Sequence, residues 1–246
     1  MPHLPTTPRS TALGLTKSKL LLLAGAMVLA ALYFSPNASA EKATVLPAPS
    51  AAVLAALPTA TKDRETAVFA GGCFWGVQAV FQHTKGVLNA VSGYAGGSPA
   101  DADYNRVSSG STGHAEAVQV TYDPRQISYA QLLQIYFSVA HDPTQLNRQG
   151  PDSGTQYRSA IFFQEPAHKA AAERYVAQLD AAHVFPNKIV TQLNALQGFY
   201  PAEGYHQNYA TLHPESGYIA RFDLPKIANL QKLMPAVYRA QPVLVP

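Results

Sequence analysis

The chain contains a single cysteine, Cys73, among its 246 residues. One cysteine excludes an intramolecular disulfide and any zinc site built from several thiolates. The histidines are scattered along the chain, and none shows the His-Glu-x-x-His spacing of a zinc protease. The sequence therefore gives no positive support for a metal centre, and a metal-dependent enzyme is the weakest functional hypothesis.

Charged residues are also scarce. They make up 13% of the chain, against an apolar fraction of 47%, and the formal net charge is +3. The basic residues form no stripe that alternates with aromatic residues, so the sequence predicts no nucleic-acid partner. The length and the apolar fraction are sufficient for one globular domain with a sizeable core.

A long uncharged apolar stretch lies near the N-terminus, over residues 20–34, and is followed by the small-residue pattern Asn37-Ala38-Ser39-Ala40. Together with the basic residues before it, this layout predicts a signal peptide over residues 1–40. The protein would then be exported and periplasmic after cleavage near Ala40. The stretch is shorter than the about 20 residues of a membrane span, and an uncleaved membrane anchor is the alternative. Residues 41–62 are rich in Ala and Pro and are interpreted as a linker.

The rest of the chain alternates strand and helix patterns, which predicts one α/β sandwich over residues 63–222 and a C-terminal tail over residues 223–246. Strands are expected at residues 66–70, 87–94, 115–122, 159–163 and 190–193. Helices are expected at residues 73–82, 129–140, 166–182 and, within the tail, 224–238. Two long loops, 96–113 and 142–157, are suited to hold a site.

The setting of Cys73 is the most informative feature of the sequence. The cysteine follows a predicted strand and two glycines, and it begins a predicted helix. The N-terminus of a helix favours negative charge, so we expect a lowered thiol pKa and a reactive thiolate. The alternative is a buried structural cysteine without chemistry, which is the commoner role of a lone cysteine.

Glu116 is the best candidate to act with this thiol. It lies on the predicted strand 115–122, where side chains two residues apart share a face, so Glu116 points with Val118 and Val120 to the apolar side. Burial there would raise the pKa of the carboxyl and keep it protonated near neutral pH. The alternative is that the strand frays at this end and Glu116 faces water.

Other candidates lie in the two long loops and beside the cysteine. Tyr104, Tyr157 and Asp152 fall in the loops, and a tyrosine hydroxyl can stabilise negative charge that develops on an oxygen. Phe74 and Trp75 could form the wall of a small apolar pocket. Each of these residues taken singly is more often a surface, turn or core residue. His206 could supply a base, but nothing near it in the sequence fixes it beside Cys73.

Six segments decide between these interpretations, because together and in this order they match the motifs of one family. They are Gly72-Cys73-Phe74-Trp75-Gly76, Gly93-Tyr94-Ala95-Gly96-Gly97, Gly113-His114-Ala115-Glu116-Ala117, His141-Asp142-Pro143-Thr144-Gln145, Asp152-Ser153-Gly154-Thr155-Gln156-Tyr157-Arg158-Ser159 and Tyr205-His206-Gln207-Asn208-Tyr209. From about Val68 to Tyr218 the chain resembles the peptide methionine sulfoxide reductase A family. The resemblance implies an α+β fold, a two-layer α/β plait with a ferredoxin-like core and a mixed sheet.

The resemblance also implies a reaction and a role for each candidate residue. The reaction is reduction of the S epimer of methionine sulfoxide, free or in oxidised proteins, without metal or flavin. Cys73 would be the nucleophile and Glu116 the acid that protonates the sulfoxide oxygen. The remaining members of the implied site are Tyr104 and Tyr157, which help to hold that oxygen, Asp152 as a polar residue of the pocket, and Phe74 and Trp75, which receive the methyl group of the substrate.

The chain departs from many members of this family after Gly217-Tyr218-Ile219, because it has no later cysteine that could resolve a sulfenic acid. A sulfenic acid on Cys73 would therefore need an external thiol, either a thioredoxin-like protein or a small thiol. We expect a monomer. Two rival hypotheses are a cysteine hydrolase that uses His206 or His114 as its base, and a non-catalytic module that binds oxidised methionine.

Overall fold

The centre of the fold is a six-stranded mixed β-sheet. The computed structural model describes residues 42–246, so the predicted signal peptide lies outside the described residues. The strands are β1 (Glu65–Ala70), β2 (Val87–Ala95), β3 (Ala115–Tyr122), β4 (Arg148–Gln149), β5 (Asp152–Ser153), β6 (Ala160–Phe163), β7 (Gln192–Ala195) and β8 (Phe199–Pro201). The sheet has the order β7-β6-β1-β3-β2-β8, in which β6 and β7 are parallel and the other neighbours antiparallel. β4 and β5 form a separate antiparallel pair.

Helices pack against this sheet, and the predicted α+β class with a mixed sheet is confirmed. They are α1 (Ala51–Leu54), α2 (Phe74–Gln82), α3 (Tyr104–Val107), α4 (Tyr129–Ile135), α5 (Pro166–Ala181), α6 (Tyr209–Leu212) and α7 (Leu224–Leu233). A π-helical turn extends α4 over Tyr136–Ala140, and another, Ile219–Asp223, precedes α7. Within residues 42–246, no helix combines the length and the apolar character needed to cross a membrane.

Local sequence signals explain where the helices begin. The Ser128 hydroxyl accepts from the backbone N–H of Gln131, whose side chain accepts from the backbone N–H of Ser128, so a capping box starts α4. Pro166 occupies the first turn of α5, where its missing N–H does no harm. The last predicted strand is shifted to Gln192–Ala195, and the tail helix ends at Leu233 rather than at residue 238.

The side chains of β3 point alternately to the two faces of the sheet, and each face carries its own buried apolar cluster. Val118, Val120 and Tyr122 are buried in the main core, together with apolar side chains from the helices on that face. Ala115 and Ala117 belong to a smaller buried cluster. The two clusters follow the period-two geometry of a strand that is buried on both faces.

The segment predicted to be a linker is packed on the domain over residues 42–57. Leu46 and Val53 are buried in the main core, with exposed fractions of 8% and 0%. The Tyr175 hydroxyl donates to the Pro47 carbonyl at 2.9 Å, and the Thr44 N–H donates to the Ser138 carbonyl at 3.0 Å. The structure thus corrects the linker interpretation here, because composition rich in Ala and Pro does not exclude burial of the few larger apolar side chains.

Val53→Ala is expected to lower the free energy of unfolding by about 1–3 kcal/mol, since it removes buried methyl groups and leaves a cavity under α1. Chemical denaturation measures this change. Leu54→Ala is the matched control, because Leu54 is next in the same short helix but is 50% exposed, and it should change stability by less than about 0.5 kcal/mol. Equal effects of the two changes would mean that the segment is not packed as described.

Candidate active site

Cys73 stands where β1 turns into α2. It is the residue that caps α2, and the turn before it needs Gly72 because the backbone there has φ +87°. A Cβ at position 72 would also lie 2.6 Å from the Gln149 side chain. The end of β1 is anchored from behind, since the Tyr136 hydroxyl donates to the Ala70 carbonyl at 2.7 Å. These contacts fix the direction in which the thiol points.

The Cys73 side chain is nearly buried, with 9% of the residue exposed. Burial raises the pKa of the Cys73 thiol well above its ordinary value, the nearby Glu116 and Asp223 carboxyls raise it further when they are ionised, and the Trp75 backbone N–H lowers it. The expectation of a thiolate at the helix N-terminus is therefore wrong for the resting protein. Loss of hydration outweighs the helix dipole, because a dry cleft with acidic neighbours disfavours the anion.

Glu116 is buried on the predicted face of β3. Glu116 is only 4% exposed, and it pairs with Tyr94 on the neighbouring strand β2. The Phe74 backbone N–H donates to its Oε2 at 3.0 Å, which ties the carboxyl to the first residue of α2. Burial raises the pKa of Glu116 to about 8, although the Phe74 N–H lowers it. The carboxyl is thus mostly protonated at neutral pH, directly beside the residue that follows the thiol.

The loop residues come together around these two groups. Burial raises the pKa of Tyr157, and the nearby Glu116 and Asp152 carboxyls raise it further. Burial also raises the pKa of Tyr104, which lies within electrostatic range of Glu116 and Cys73. Asp152, on β5, accepts a hydrogen bond from the Tyr218 hydroxyl. The fold therefore assembles both tyrosines and the aspartate beside the cysteine.

Phe74 and Trp75 form an aromatic layer on the first turn of α2. The Phe74 ring is buried and lies 5.0 Å from the His206 ring. The half-buried Trp75 ring stacks on Tyr209 at 3.9 Å, and its Nε1–H donates to His206 Nδ1 at 3.3 Å. His206 also lies 4.5 Å from the Tyr104 ring, measured between centroids. An apolar wall with fixed orientation thus adjoins the thiol and the acid.

Comparison with known proteins identifies the family. The model of the family described as "Peptide methionine sulfoxide reductase" matches residues 65–236, a range that includes every residue of this site. The chain belongs to the peptide methionine sulfoxide reductase family. As a member, it is an oxidoreductase that reduces the S epimer of methionine sulfoxide, an activity that serves protein repair, and the predicted family is confirmed.

Individual relatives agree with this membership. "Peptide methionine sulfoxide reductase MsrA 2" of Mesorhizobium japonicum is 60% identical over 186 residues, which cover 76% of this chain and 95% of that protein. A protein of the same name from Synechocystis sp. is 48% identical over 183 residues, or 74% of this chain and 86% of that protein. The crystal structure of Mxr1 from Saccharomyces cerevisiae in reduced form is 34% identical, covers 63% of this chain and 88% of that one, and has a TM-score of 0.58. "Methionine sulfoxide reductase A of Corynebacterium diphtheriae" is also 34% identical, with coverage of 74% and 90% and a TM-score of 0.54.

The histidines do not complete a hydrolase site in this member of the family. His206 accepts from Trp75 through Nδ1, and no histidine among the described residues hydrogen-bonds Cys73. His114 uses both ring nitrogens on backbone groups, at 3.2 Å from the Gly97 nitrogen and 2.8 Å from the Ser98 oxygen. A thiol–imidazole pair of the kind that activates a cysteine hydrolase is thus absent from residues 42–246. Over the same residues, no group of three His, Cys, Asp or Glu side chains could hold a metal ion.

Three residues from the C-terminal part of the chain enter the site without having been predicted. Tyr218 lies beside Asp152, and Lys226 of α7 lies 3.5 Å from the buried Asp223, measured from Nζ to Oδ1. Burial raises the pKa of Asp223 to about 6, while Lys226 lowers it. The sequence carried one signal that could have found two of them. Asp223 and Lys226 are charged residues three positions apart, and they interrupt the apolar face of the amphipathic helix predicted in the tail.

Proposed function

We propose that Cys73 attacks the sulfoxide sulfur and that Glu116 supplies the proton to the sulfoxide oxygen. The observation that carries this proposal is the buried Glu116 carboxyl, which accepts from the N–H of Phe74, the residue next to the only cysteine of the chain, and whose pKa burial raises to about 8. A sulfoxide oxygen leaves sulfur only when it takes up a proton, so a neutral acid beside a sulfur nucleophile fits this reaction.

The raised pKa of the thiol gives Glu116 a second task in this proposal. The thiol keeps its proton until the substrate arrives, and the proton must leave as sulfur attacks sulfur. Glu116 gives its proton to the sulfoxide oxygen and takes the thiol proton in return. The bond between Sγ and the substrate sulfur then breaks, with its electron pair left on that sulfur, as the protonated oxygen leaves the substrate sulfur and bonds to Sγ. Methionine departs with two more electrons, Cys73 becomes a sulfenic acid, and Glu116 ends this half-reaction protonated. The first half-reaction therefore needs no net proton from solvent.

The surrounding residues orient the substrate. Tyr104 and Tyr157 are proposed to donate hydrogen bonds to the sulfoxide oxygen, since the burial that raises the pKa of each keeps the hydroxyl protonated. Asp152 is a polar residue of the same pocket. Phe74 and Trp75 are proposed to receive the methyl group of the substrate, because their rings form the apolar wall next to the thiol.

The sulfenic acid is proposed to be reduced by an external thiol, from a small molecule or a thioredoxin-like protein, because the chain has no second cysteine. We further propose that the protein is monomeric and exported, through a signal peptide cleaved near Ala40 or as an anchored form. N-terminal sequencing of the protein purified from the periplasmic fraction tests cleavage, and a start at Met1 in a membrane fraction would favour the anchor.

A coupled assay with separate S and R epimers of methionine sulfoxide and with dithiothreitol tests the function. The S epimer should be converted to methionine at the expense of dithiothreitol, and the R epimer should be left unchanged. Binding of the sulfoxide without turnover would instead support a binding module. Hydrolysis of thioesters or peptides that ignores dithiothreitol would support the cysteine hydrolase.

A further inference from the structure

Glu203 joins two parts of the site that are far apart in sequence. It follows β8, which pairs with β2 through Tyr200 and Tyr94, so the sheet sets its place beside β2. Its Oε1 accepts from the backbone N–H of Tyr104 at 3.0 Å, and its Oε2 accepts from the Tyr94 hydroxyl at 2.9 Å. Both carboxyl oxygens therefore have a donor, one in the loop that carries Tyr104 and one in the strand beside β3.

These two contacts reach the groups that the proposed function uses. Tyr94 is fully buried, pairs with Glu116 across the two strands, and lies 5.9 Å from Phe74, measured between ring centroids. Tyr104 is the first residue of α3, a helix of four residues whose first N–H groups have no partner within the helix. A helix this short is not stable by itself, so contacts from elsewhere must hold it. Glu203 provides such a contact from 99 positions away.

The protonation state of Glu203 suits an acceptor. Burial by itself would raise the pKa of Glu203, but backbone N–H groups, first among them that of Tyr104, and the Tyr94 hydroxyl hold it below its ordinary value. Glu203 is therefore ionised at neutral pH, whereas Glu116 is mostly protonated. The two carboxyls take different tasks, because the protonated one can give a proton to the substrate and the ionised one can only accept hydrogen bonds.

We propose that Glu203 is a positioning residue for the first half-reaction and that it acts through Tyr104. Its carboxylate fixes the start of α3 against Tyr94 and so keeps the Tyr104 hydroxyl beside Glu116 and Cys73, within whose electrostatic range it lies. The inference rests on the proposed function, in which this hydroxyl donates to the sulfoxide oxygen. A displacement of about 1 Å in a reacting group can cost about a hundredfold in rate, so an anchor of Tyr104 affects the reaction directly.

A double-mutant cycle with Glu203→Ala and Tyr104→Phe tests this dependence. Methionine formed in a single turnover without reductant, at saturating methionine S-sulfoxide, gives the rate constant of the first half-reaction. Each change alone should lower this rate constant at least tenfold. In the Tyr104→Phe background, however, Glu203→Ala should lower it less than threefold, because the hydroxyl that Glu203 positions is already absent. The amplitude should stay at one methionine per chain in all four proteins, whereas a loss of fold would lower the amplitude.

Three further variants complete the test. Glu203→Gln should retain at least a third of the wild-type rate constant, since its amide oxygen can accept from the Tyr104 N–H and its amide nitrogen can donate to the Tyr94 hydroxyl oxygen. Glu215→Ala is the matched control, because the Glu215 side chain is 74% exposed, and it should stay within twofold of the wild type. If Glu203→Ala does not fold, Glu203→Asp replaces it in the cycle with the same expectation, because the shorter side chain cannot reach both donors.

Two results would overturn the inference alone. They are an equal effect of Glu203→Ala in the two backgrounds, and a loss in Glu203→Gln as large as that in Glu203→Ala. An unchanged rate constant in Tyr104→Phe would overturn it as well and would also remove Tyr104 from its role as a donor. A wild type that forms no methionine without reductant would instead contradict the proposed function itself.

Discussion

Cys73→Ser is expected to abolish sulfoxide reduction. The chain has no other cysteine, so no second thiol can replace it. A serine hydroxyl at this position is a far weaker nucleophile than sulfur, and none of the described histidines is placed to activate it. Serine is close in size to cysteine and is a favoured residue at the position that caps a helix, which Cys73 occupies, so folding should be preserved.

Mass spectrometry of the whole protein provides the direct measurement. After one equivalent of methionine S-sulfoxide without reductant, the wild type should gain one oxygen atom on Cys73 and release one methionine, whereas the variant should do neither. The fluorescence of Trp75 and the midpoint of thermal unfolding serve as controls for the fold. Methionine release by the serine variant, or a wild-type oxygen that maps to any other residue, would remove Cys73 from its role as nucleophile.

The period-two pattern of β3 was enough to place Glu116. Strand side chains alternate, so the sequence placed Glu116 on the face of Val118 and Val120, which lie in the main core. Ala115 and Ala117 on the opposite face are buried as well, so the alternation alone did not decide that the carboxyl is buried. The capped start of α4 and the first-turn proline of α5 were equally local signals. Features that depend on neighbouring residues along the chain were therefore predictable.

The protonation of Cys73 was not predictable in this way. The helix N-terminus is visible in the sequence, but burial and the acidic neighbours that raise the pKa of the thiol come from distant parts of the chain. Asp223 is the clearest case, because it lies far from Cys73 in sequence and reaches the site only through the packing of α7 on α2. Desolvation is a property of the assembled fold, and no local motif encodes it.

Contacts between residues that are distant in sequence also explain why the predictions for His206 and for residues 42–57 were wrong. The sequence offered His206 as a base, yet the fold uses it to hold the Trp75 indole and to pack on Phe74 and Tyr104. Residues 42–57 lack the periodicity of a long helix or strand, and their burial depends on single side chains such as Val53. Tertiary contacts of isolated residues leave little trace in composition.

Glu116→Gln is expected to lower the rate of the first turnover by about two to three orders of magnitude, or roughly 3–4 kcal/mol of transition-state stabilisation. The amide keeps an oxygen that can accept from the Phe74 N–H, so the geometry of the turn is retained. It cannot give a proton to the sulfoxide oxygen or take one from the thiol. Quenched-flow measurement of methionine release in a single turnover isolates this step from the reaction with the external thiol.

The pH dependence identifies the acid. Burial raises the pKa of Glu116 to about 8, so the active, protonated form predominates below that pH, and the wild-type rate should fall as pH rises through about 8. This fall should be missing in Glu116→Gln. A carboxyl whose pKa is raised by folding lowers the free energy of unfolding of the protein as pH rises. At pH 9 the Glu116→Gln variant should therefore unfold at a temperature equal to or higher than that of the wild type. An unchanged single-turnover rate in the variant, or a wild-type fall near pH 8 that persists in it, would assign the proton to another group.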